Sequence, residues 1–209
     1  MTSSFGAPVV AYAGSADPHA PLVVLLHGRG ADESTILGLA AELPTELAYA
    51  AVRAPIVEGG GFAWFANQGI GRPIAASLRE TLDWFRAWVD VEAAGRPVVL
   101  VGFSGGGAFA GGLVLDDPFR WAGTAVLFAT LPFEAGVPTT PGRLVGSPLL
   151  VIHGDRDTVI PADLLERTWA YATTESGATL TTHRSPGGHG VDEASLEVLR
   201  AWLRDVLPA

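Results

Sequence analysis

Short blocks of β-type residues alternate along the chain with longer segments of helical periodicity. Residues 21–28 (PLVVLLHG) and 96–104 (RPVVLVGFS) contain almost continuous apolar runs, as expected of strands buried on both faces of a parallel sheet. Between them, an amphipathic pattern from about Ile74 to Ala94 predicts a long helix. This alternation is typical of βα units and predicts an α/β fold.

The rest of the chain continues the same order. Further strands are predicted at residues 8–13 (an edge strand), 48–55, 121–130, 147–157 and 178–186. Further helices are predicted from Ser34 to Leu43, from near Pro161, and from about Asp192 to Val206. Two Gly-rich or Pro-rich segments, residues 58–71 and 131–148, are predicted to be loops, the second contributing to a small lid. No repeat or linker divides the chain, so residues 1–209 are expected to form one domain.

Composition excludes several classes of function. Thirteen basic against 22 acidic residues give a net charge of −9, which would repel a phosphate backbone, so no nucleic-acid partner is expected. The chain has no cysteine, which excludes thiolate chemistry and disulfides. No stretch approaches the roughly 18 apolar residues of a membrane span, and the N-terminus does not resemble a secretory signal. We therefore expect a cytoplasmic protein.

Residues 102–106 (GFSGG) match the G-x-S-x-G pattern between a predicted strand and a predicted helix. This is the context of a nucleophile elbow, a sharp turn that holds a serine above the sheet. The alternative is a turn whose Ser104 only caps the helix. A second alternative is a dinucleotide site, because residues 105–110 fit G-x-G-x-x-G/A. That site requires an acidic residue after the next strand, where the chain has Thr130.

A serine nucleophile needs a general base and a carboxylate, in the chain order Ser, acid, His. His189 lies after the last predicted strand and is the candidate base, with an uninvolved loop histidine as the alternative. Asp155 and Asp157 both follow a predicted strand, and their spacing does not distinguish them. Backbone amides of Gly105 and Arg29 are the candidate oxyanion donors.

The motifs LLHGRGADE, AWF, VGFSGGG, HGDRDTVIP and GGHG, in this order, resemble the phospholipase/carboxylesterase family, which includes acyl-protein thioesterases. The resemblance implies a single-domain α/β-hydrolase fold with a mostly parallel sheet, flanking helices and no large cap domain. It implies a catalytic triad of Ser104, Asp157 and His189. It implies an oxyanion hole at Arg29 and Gly105, and an acyl pocket bordered by Trp64, Phe65 and Leu131.

The chain departs from the family pattern at three positions. Members often carry an apolar residue where Arg29 stands, Gln where Gly105 stands, and Asp where Ala66 stands. The Arg29 side chain either attracts a substrate carboxylate or phosphate or is simply solvated. Trp64 and Phe65 either border the acyl site or are packed core aromatics.

The expected function is hydrolysis of a small carboxylic ester or thioester through an acyl-enzyme, with no metal or organic cofactor. A peptidase or acyltransferase with the same triad is one alternative. A hydrolase-fold receptor with negligible turnover is another. An open sheet of this size is also compatible with a homodimer.

Overall fold

The computed structural model describes residues 4–207, which fold around a seven-stranded sheet. The strands are β1 (Val10–Gly14), β2 (Leu22–Leu26), β3 (Ala48–Val52), β4 (Ile56–Glu58), β5 (Gly61–Ala63), β6 (Asn67–Gly69), β7 (Arg72–Pro73), β8 (Val98–Phe103), β9 (Gly123–Leu127), β10 (Pro148–Gly154) and β11 (Thr179–Ser185). The α-helices are α1 (Glu33–Leu37), α2 (Ala75–Ala93), α3 (Gly105–Asp116), α4 (Ala162–Ala170) and α5 (Glu193–Val206). None of the helices within this part of the chain is long and apolar enough to cross a membrane.

The central sheet has the strand order β1-β3-β2-β8-β9-β10-β11. Strand β1 runs antiparallel to β3 at one edge, and the other neighbouring pairs are parallel. In β2, Val24 pairs with Ala50 on one side and Leu100 on the other. The prediction of an α/β fold with a mostly parallel sheet is confirmed.

Helices cover both faces of the sheet, which explains why the central strands are apolar at every position. Alternate residues of β2 point to opposite faces, so Leu22, Val24 and Leu26 join one hydrophobic core while Val23 and Leu25 join another. The first core contains the buried faces of α2 and α3. The second contains the buried face of α5.

The predicted helix from Ser34 to Leu43 is shorter than expected. Asp32 caps α1 by accepting a hydrogen bond from the Thr35 amide at 3.0 Å, and the helix then tightens into a 3₁₀ turn at Gly38–Glu42. The turn begins at Gly38, and glycine has a low propensity for the α-helix. Leu43 is extended, the conformation favoured by the residue before a proline. The prediction was therefore correct in position but wrong in type for its second half.

The segment 58–71, predicted as a loop, contains strands of two small hairpins. Strand β4 pairs with β5 and strand β6 with β7. Gly59 and Gly60 both have positive φ and form the two-residue turn between β4 and β5. Such a turn suits the twist of a hairpin and is easily adopted by glycine. The glycines that suggested an irregular loop thus form a hairpin turn.

Candidate active site

The candidate site lies above the carboxyl ends of the parallel strands, where loops after β2, β8, β9, β10 and β11 converge. Ser104 occupies the turn between β8 and α3, with φ 52° and ψ −117°. A non-glycine residue with positive φ is uncommon, and such strain often accompanies function.

Two glycines make this turn sterically possible. A Cβ atom at Gly102 would lie 2.2 Å from the carbonyl oxygen of Gly106. A Cβ atom at Gly106 would lie 2.1 Å from the carbonyl oxygen of Leu26 on the neighbouring strand. Both distances are well below van der Waals contact. Side-chain-free positions on both sides of Ser104 therefore allow the close packing that exposes its hydroxyl.

The structure brings together the three side chains predicted as a triad. His189 Nε2 is 2.9 Å from Ser104 Oγ, and His189 Nδ1 is 2.7 Å from Asp157 Oδ2. The Asp157 side chain is fully buried, whereas 15% of the His189 side chain is exposed. With Nδ1 hydrogen donated to the carboxylate, Nε2 is free to accept the serine proton.

The Asp157 carboxylate is held in place by its own loop. Its second oxygen, Oδ1, accepts hydrogen bonds from the amides of Val159 at 2.8 Å and Ile160 at 3.1 Å. These bonds fix the carboxylate, leaving Oδ2 directed at the imidazole. The His189 ring in turn lies against Phe103, with ring centroids 5.2 Å apart. The carboxylate and the imidazole are thus both held by neighbouring residues.

The geometry also separates the two candidate acids. Asp155 forms an ion pair with Arg184 at 2.7 Å, and both side chains are exposed at the surface. Because its carboxylate is already engaged there, the contact with the imidazole falls to Asp157. Sequence spacing left this choice open, and the side-chain contacts favour Asp157.

Two other histidines, His27 and His153, are buried and engaged with the backbone. His27 Nε2 accepts a hydrogen bond from the Ala54 amide at 3.1 Å, and burial lowers its pKa. His153 Nε2 lies 3.1 Å from the Ala129 carbonyl oxygen, and burial lowers its pKa to about 4. Both are therefore uncharged structural groups at neutral pH. Across residues 4–207, no group of three or more His, Cys, Asp or Glu side chains could hold a metal ion.

The backbone of Arg29 passes close to Gly105, the residue that follows Ser104. Gly105 is the first residue of α3, so its N–H has no acceptor within the helix. A Cβ atom built on Gly105 would be 3.1 Å from the Arg29 backbone nitrogen, which shows how closely the two segments approach. An amide at a helix N-terminus, with a second backbone amide close by, is suited to stabilising a developing negative charge.

A cleft of about 690 Å³ opens above Ser104 and His189. Most of its surface is apolar and comes from loops that are distant in sequence. Its apolar lining comprises Ala31, Ile36, Phe65, Ile70, Phe103, Ala108, Val159 and Ile160. Of these residues, only Phe65 belonged to the predicted pocket, because no local pattern marks the others as neighbours.

Two predicted pocket residues, Trp64 and Leu131, do not line the cleft. Trp64 is buried, donates a hydrogen bond to the His27 carbonyl at 2.8 Å, and stacks on Phe109 with ring centroids 4.5 Å apart. Leu131 is fully buried, and its amide donates to the Thr168 hydroxyl at 3.0 Å. The prediction that they line the pocket is therefore corrected, because both side chains belong to the core.

The segment 131–148, predicted to contribute to a lid, also lies outside the cleft lining. Its apolar residues Phe133, Val137 and Leu144 are buried in the hydrophobic core. Thr130, just before this segment, lines the cleft, and the next lining residue along the chain is Val159. The segment therefore contributes to the core and does not line the site.

The Arg29 side chain forms a bidentate ion pair that sequence reasoning missed. Its Nε donates to Glu58 Oε1 at 2.6 Å and its Nη2 donates to Oε2 at 2.5 Å. The two predicted alternatives, a solvated side chain and a free group that attracts a substrate anion, are therefore both incomplete, because the guanidinium is already paired. Glu58 is 29 residues away in sequence, and only the hairpin fold brings it to Arg29.

Comparison with known proteins identifies relatives over nearly the whole chain. The family model described as Phospholipase/Carboxylesterase matches residues 8–207. A curated relative, MhqD of Bacillus subtilis (strain 168), is 22% identical over 191 residues, covering 89% of this chain and 94% of the relative.

Solved structures of similar fold cover most of both chains. The Bacillus cereus carboxylesterase has a TM-score of 0.83 at 20% identity, covering 95% of this chain and 94% of the other. The Mesorhizobium loti carboxylesterase has a TM-score of 0.78 at 25% identity, covering 88% of each chain. Together with the family match, these similarities confirm the predicted α/β-hydrolase fold.

Proposed function

Because the chain belongs to the phospholipase/carboxylesterase family, we propose that it hydrolyses carboxylic esters, including thioesters, with Ser104 as nucleophile, His189 as general base and Asp157 as the orienting carboxylate. Family membership supports an esterase-type hydrolase activity. The observation that carries the residue assignment is the continuous series of contacts from the Ser104 hydroxyl through the imidazole to a buried carboxylate.

In the acylation step, Ser104 Oγ attacks the carbonyl carbon while its proton passes to His189 Nε2. The carbonyl oxygen becomes an oxyanion, stabilised by the Arg29 and Gly105 amides. The tetrahedral intermediate then collapses and breaks the bond to the leaving group. The alcohol or thiol takes the proton from His189 Nε2, leaving the acyl group on Ser104.

Deacylation repeats the same proton transfers with water. His189 Nε2 removes a proton from the attacking water, and the oxyanion forms again at the two amides. Collapse releases the carboxylic acid and returns the proton to Ser104 Oγ. Throughout, Asp157 keeps the imidazole in one tautomer and stabilises its charged form. No other group is needed to balance the reaction.

The apolar cleft supports a substrate whose acyl or alcohol part is also apolar. At about 690 Å³ it has the size of a small-molecule site. The relatives named as carboxylesterases support an ester as the scissile group.

The triad assignment is tested with Ser104→Ala, His189→Ala and Asp157→Asn, assayed on p-nitrophenyl hexanoate and on an acyl thioester of the same chain length. We expect kcat to fall by about 10³-fold or more for the serine and histidine variants, because the residues act as a unit. A fluorophosphonate probe should label wild type, and replacing Ser104 should abolish the labelling.

Matched controls are available in the same chain. Asp155→Asn makes the same chemical change two residues from Asp157, in a carboxylate paired with Arg184. His19→Ala removes an exposed histidine remote from the cleft. Both should retain activity within about twofold of wild type. Full activity in Ser104→Ala would refute the proposal, and equal losses in Asp155→Asn and Asp157→Asn would refute the assignment of the acid.

A further inference from the structure

The hairpin formed by β4 and β5 is attached to the loop that carries the Arg29 amide. The Gly30 amide donates to the Phe62 carbonyl at 2.9 Å, and the Phe62 amide donates to the Ala31 carbonyl at 3.1 Å. A Cβ atom at Gly61 would lie 2.0 Å from the Gly30 carbonyl oxygen, so the two backbones are in close contact. The hairpin therefore has a defined position beside the cleft.

Glu58 begins the turn of this hairpin, and the attachment places its carboxylate against the Arg29 guanidinium. Both side chains are partly exposed, at 36% for Arg29 and 38% for Glu58. Two parallel hydrogen bonds at 2.6 and 2.5 Å use two of the guanidinium's donors and both carboxylate oxygens. This fork is the same geometry with which arginine binds a ligand carboxylate.

Arg29 is the residue of the cleft lining whose side chain carries a permanent charge. Among the lining residues within the described part of the chain, Arg29 is the one Lys, Arg, Asp or Glu. The rest of the lining consists of apolar, glycine and uncharged polar residues, together with the two histidines His27 and His189. Whether Arg29 offers a substrate an unpaired cation at the edge of the cleft therefore depends on Glu58.

We propose that Glu58 is a specificity-determining residue, which neutralises Arg29 so that the cleft selects uncharged esters over esters that carry a carboxylate. The inference rests on the proposed function. A substrate carboxylate meets a guanidinium already bound by Glu58, and it is repelled by the Glu58 charge. Removing that charge leaves an unpaired guanidinium on a residue that lines the cleft, and this cation favours an anionic substrate.

Two matched substrate pairs test this selection. In the first pair, p-nitrophenyl hexanoate is compared with the p-nitrophenyl monoester of adipic acid, in which a carboxylate replaces the terminal methyl group. In the second, phenyl hexanoate is compared with the hexanoate ester of p-hydroxybenzoate, which puts the carboxylate on the leaving group. The two pairs together examine both sides of the scissile bond. The readout is the ratio of kcat/KM for the charged ester to that for its neutral partner.

Glu58→Gln keeps the size of the side chain and removes its charge. In at least one pair we expect the ratio to rise by about fivefold to twentyfold, because an unpaired, half-exposed guanidinium attracts the substrate carboxylate. Arg29→Gln keeps the backbone amide but leaves Glu58 unpaired, so the ratio should fall below that of wild type. In the double variant the rise should disappear. About 1 M NaCl should reduce the rise, because the Debye length at this ionic strength is only about 3 Å and exposed charges are strongly screened.

Glu42→Gln is the control for the change in net charge, because Glu42 pairs with Arg200 outside the cleft lining. It should leave every ratio within about twofold of wild type. A ratio that stays within twofold in Glu58→Gln for both pairs, in an enzyme that hydrolyses the neutral esters, overturns the role of Glu58 alone. Absence of turnover of every ester by wild type overturns the proposed function and the inference with it.

Discussion

Gly112, in the middle of α3, is a position where alanine should stabilise the protein. Glycine in a helix interior is less favourable than alanine by about 1 kcal/mol. A Cβ atom added at Gly112 would lie 3.5 Å from Pro132 Cγ and 3.6 Å from the nearest methyl carbons of Leu78 and Leu82. These are ordinary van der Waals distances, so the new methyl group fills space in the core without displacing its neighbours.

The expected gain follows from these two terms. Burying a methyl-sized group adds about 0.8 kcal/mol, so Gly112→Ala should raise the free energy of unfolding by about 1 to 2 kcal/mol. For a chain of this length, that corresponds to an increase in Tm of about 2–8 °C. Thermal unfolding followed by circular dichroism, with urea unfolding as a second measurement, would detect the change.

Gly106, in the first turn of the same helix, is the matched comparison. Gly106→Ala makes the same chemical change, but its Cβ atom would lie 2.1 Å from the Leu26 carbonyl oxygen, which belongs to a central strand and cannot move aside. We expect a loss of at least about 3 kcal/mol. A Gly112→Ala protein less stable than wild type, or a Gly106→Ala protein as stable as wild type, would refute this steric reasoning.

Two further predictions concern stability. Hydrogen bonds from Arg79 and then Arg86 hold the pKa of Asp116 at about 2, so its contribution to stability should be complete above about pH 4, the unfolded value. This contribution should be lost as the pH falls towards 2. Measured by urea unfolding, the free energy of unfolding of Asp116→Asn should lack this part of the pH dependence. Trp64→Phe should lower the free energy of unfolding by about 1–3 kcal/mol, measured by the same method, because it leaves the buried His27 carbonyl without its donor.

The sequence predicted the features that depend on local patterns. The nucleophile turn was recognisable because its glycines and Ser104 are consecutive and the flanking strand and helix have clear periodicity. His189 was recognisable because the chain order of the fold places it after the last strand. The central strands were recognisable because both of their faces are buried, which makes them apolar at every position.

The errors arose where a local pattern has two structural outcomes. Glycines at residues 59–61 are compatible with an irregular loop or with a hairpin turn, and contacts with the loop at residues 28–31 accompany the hairpin. Trp64 and Phe65 are adjacent and similar in chemistry, yet one is stacked in the core and the other lines the cleft. Their positions depend on neighbours from α3 and from other loops.

By itself, the sequence determined the α/β architecture, the position of the candidate nucleophile and the identity of its candidate base, because each depends on residues that are close in the chain or on the order of the strands. Spacing left Asp155 and Asp157 open, and the family resemblance pointed to Asp157. Only the tertiary structure placed the Asp157 carboxylate against the imidazole, excluded Leu131 from the cleft and paired Arg29 with Glu58. Those outcomes depend on distances of a few ångströms between side chains that the packed sheet and its loops bring together, and spacing along the chain does not specify such distances.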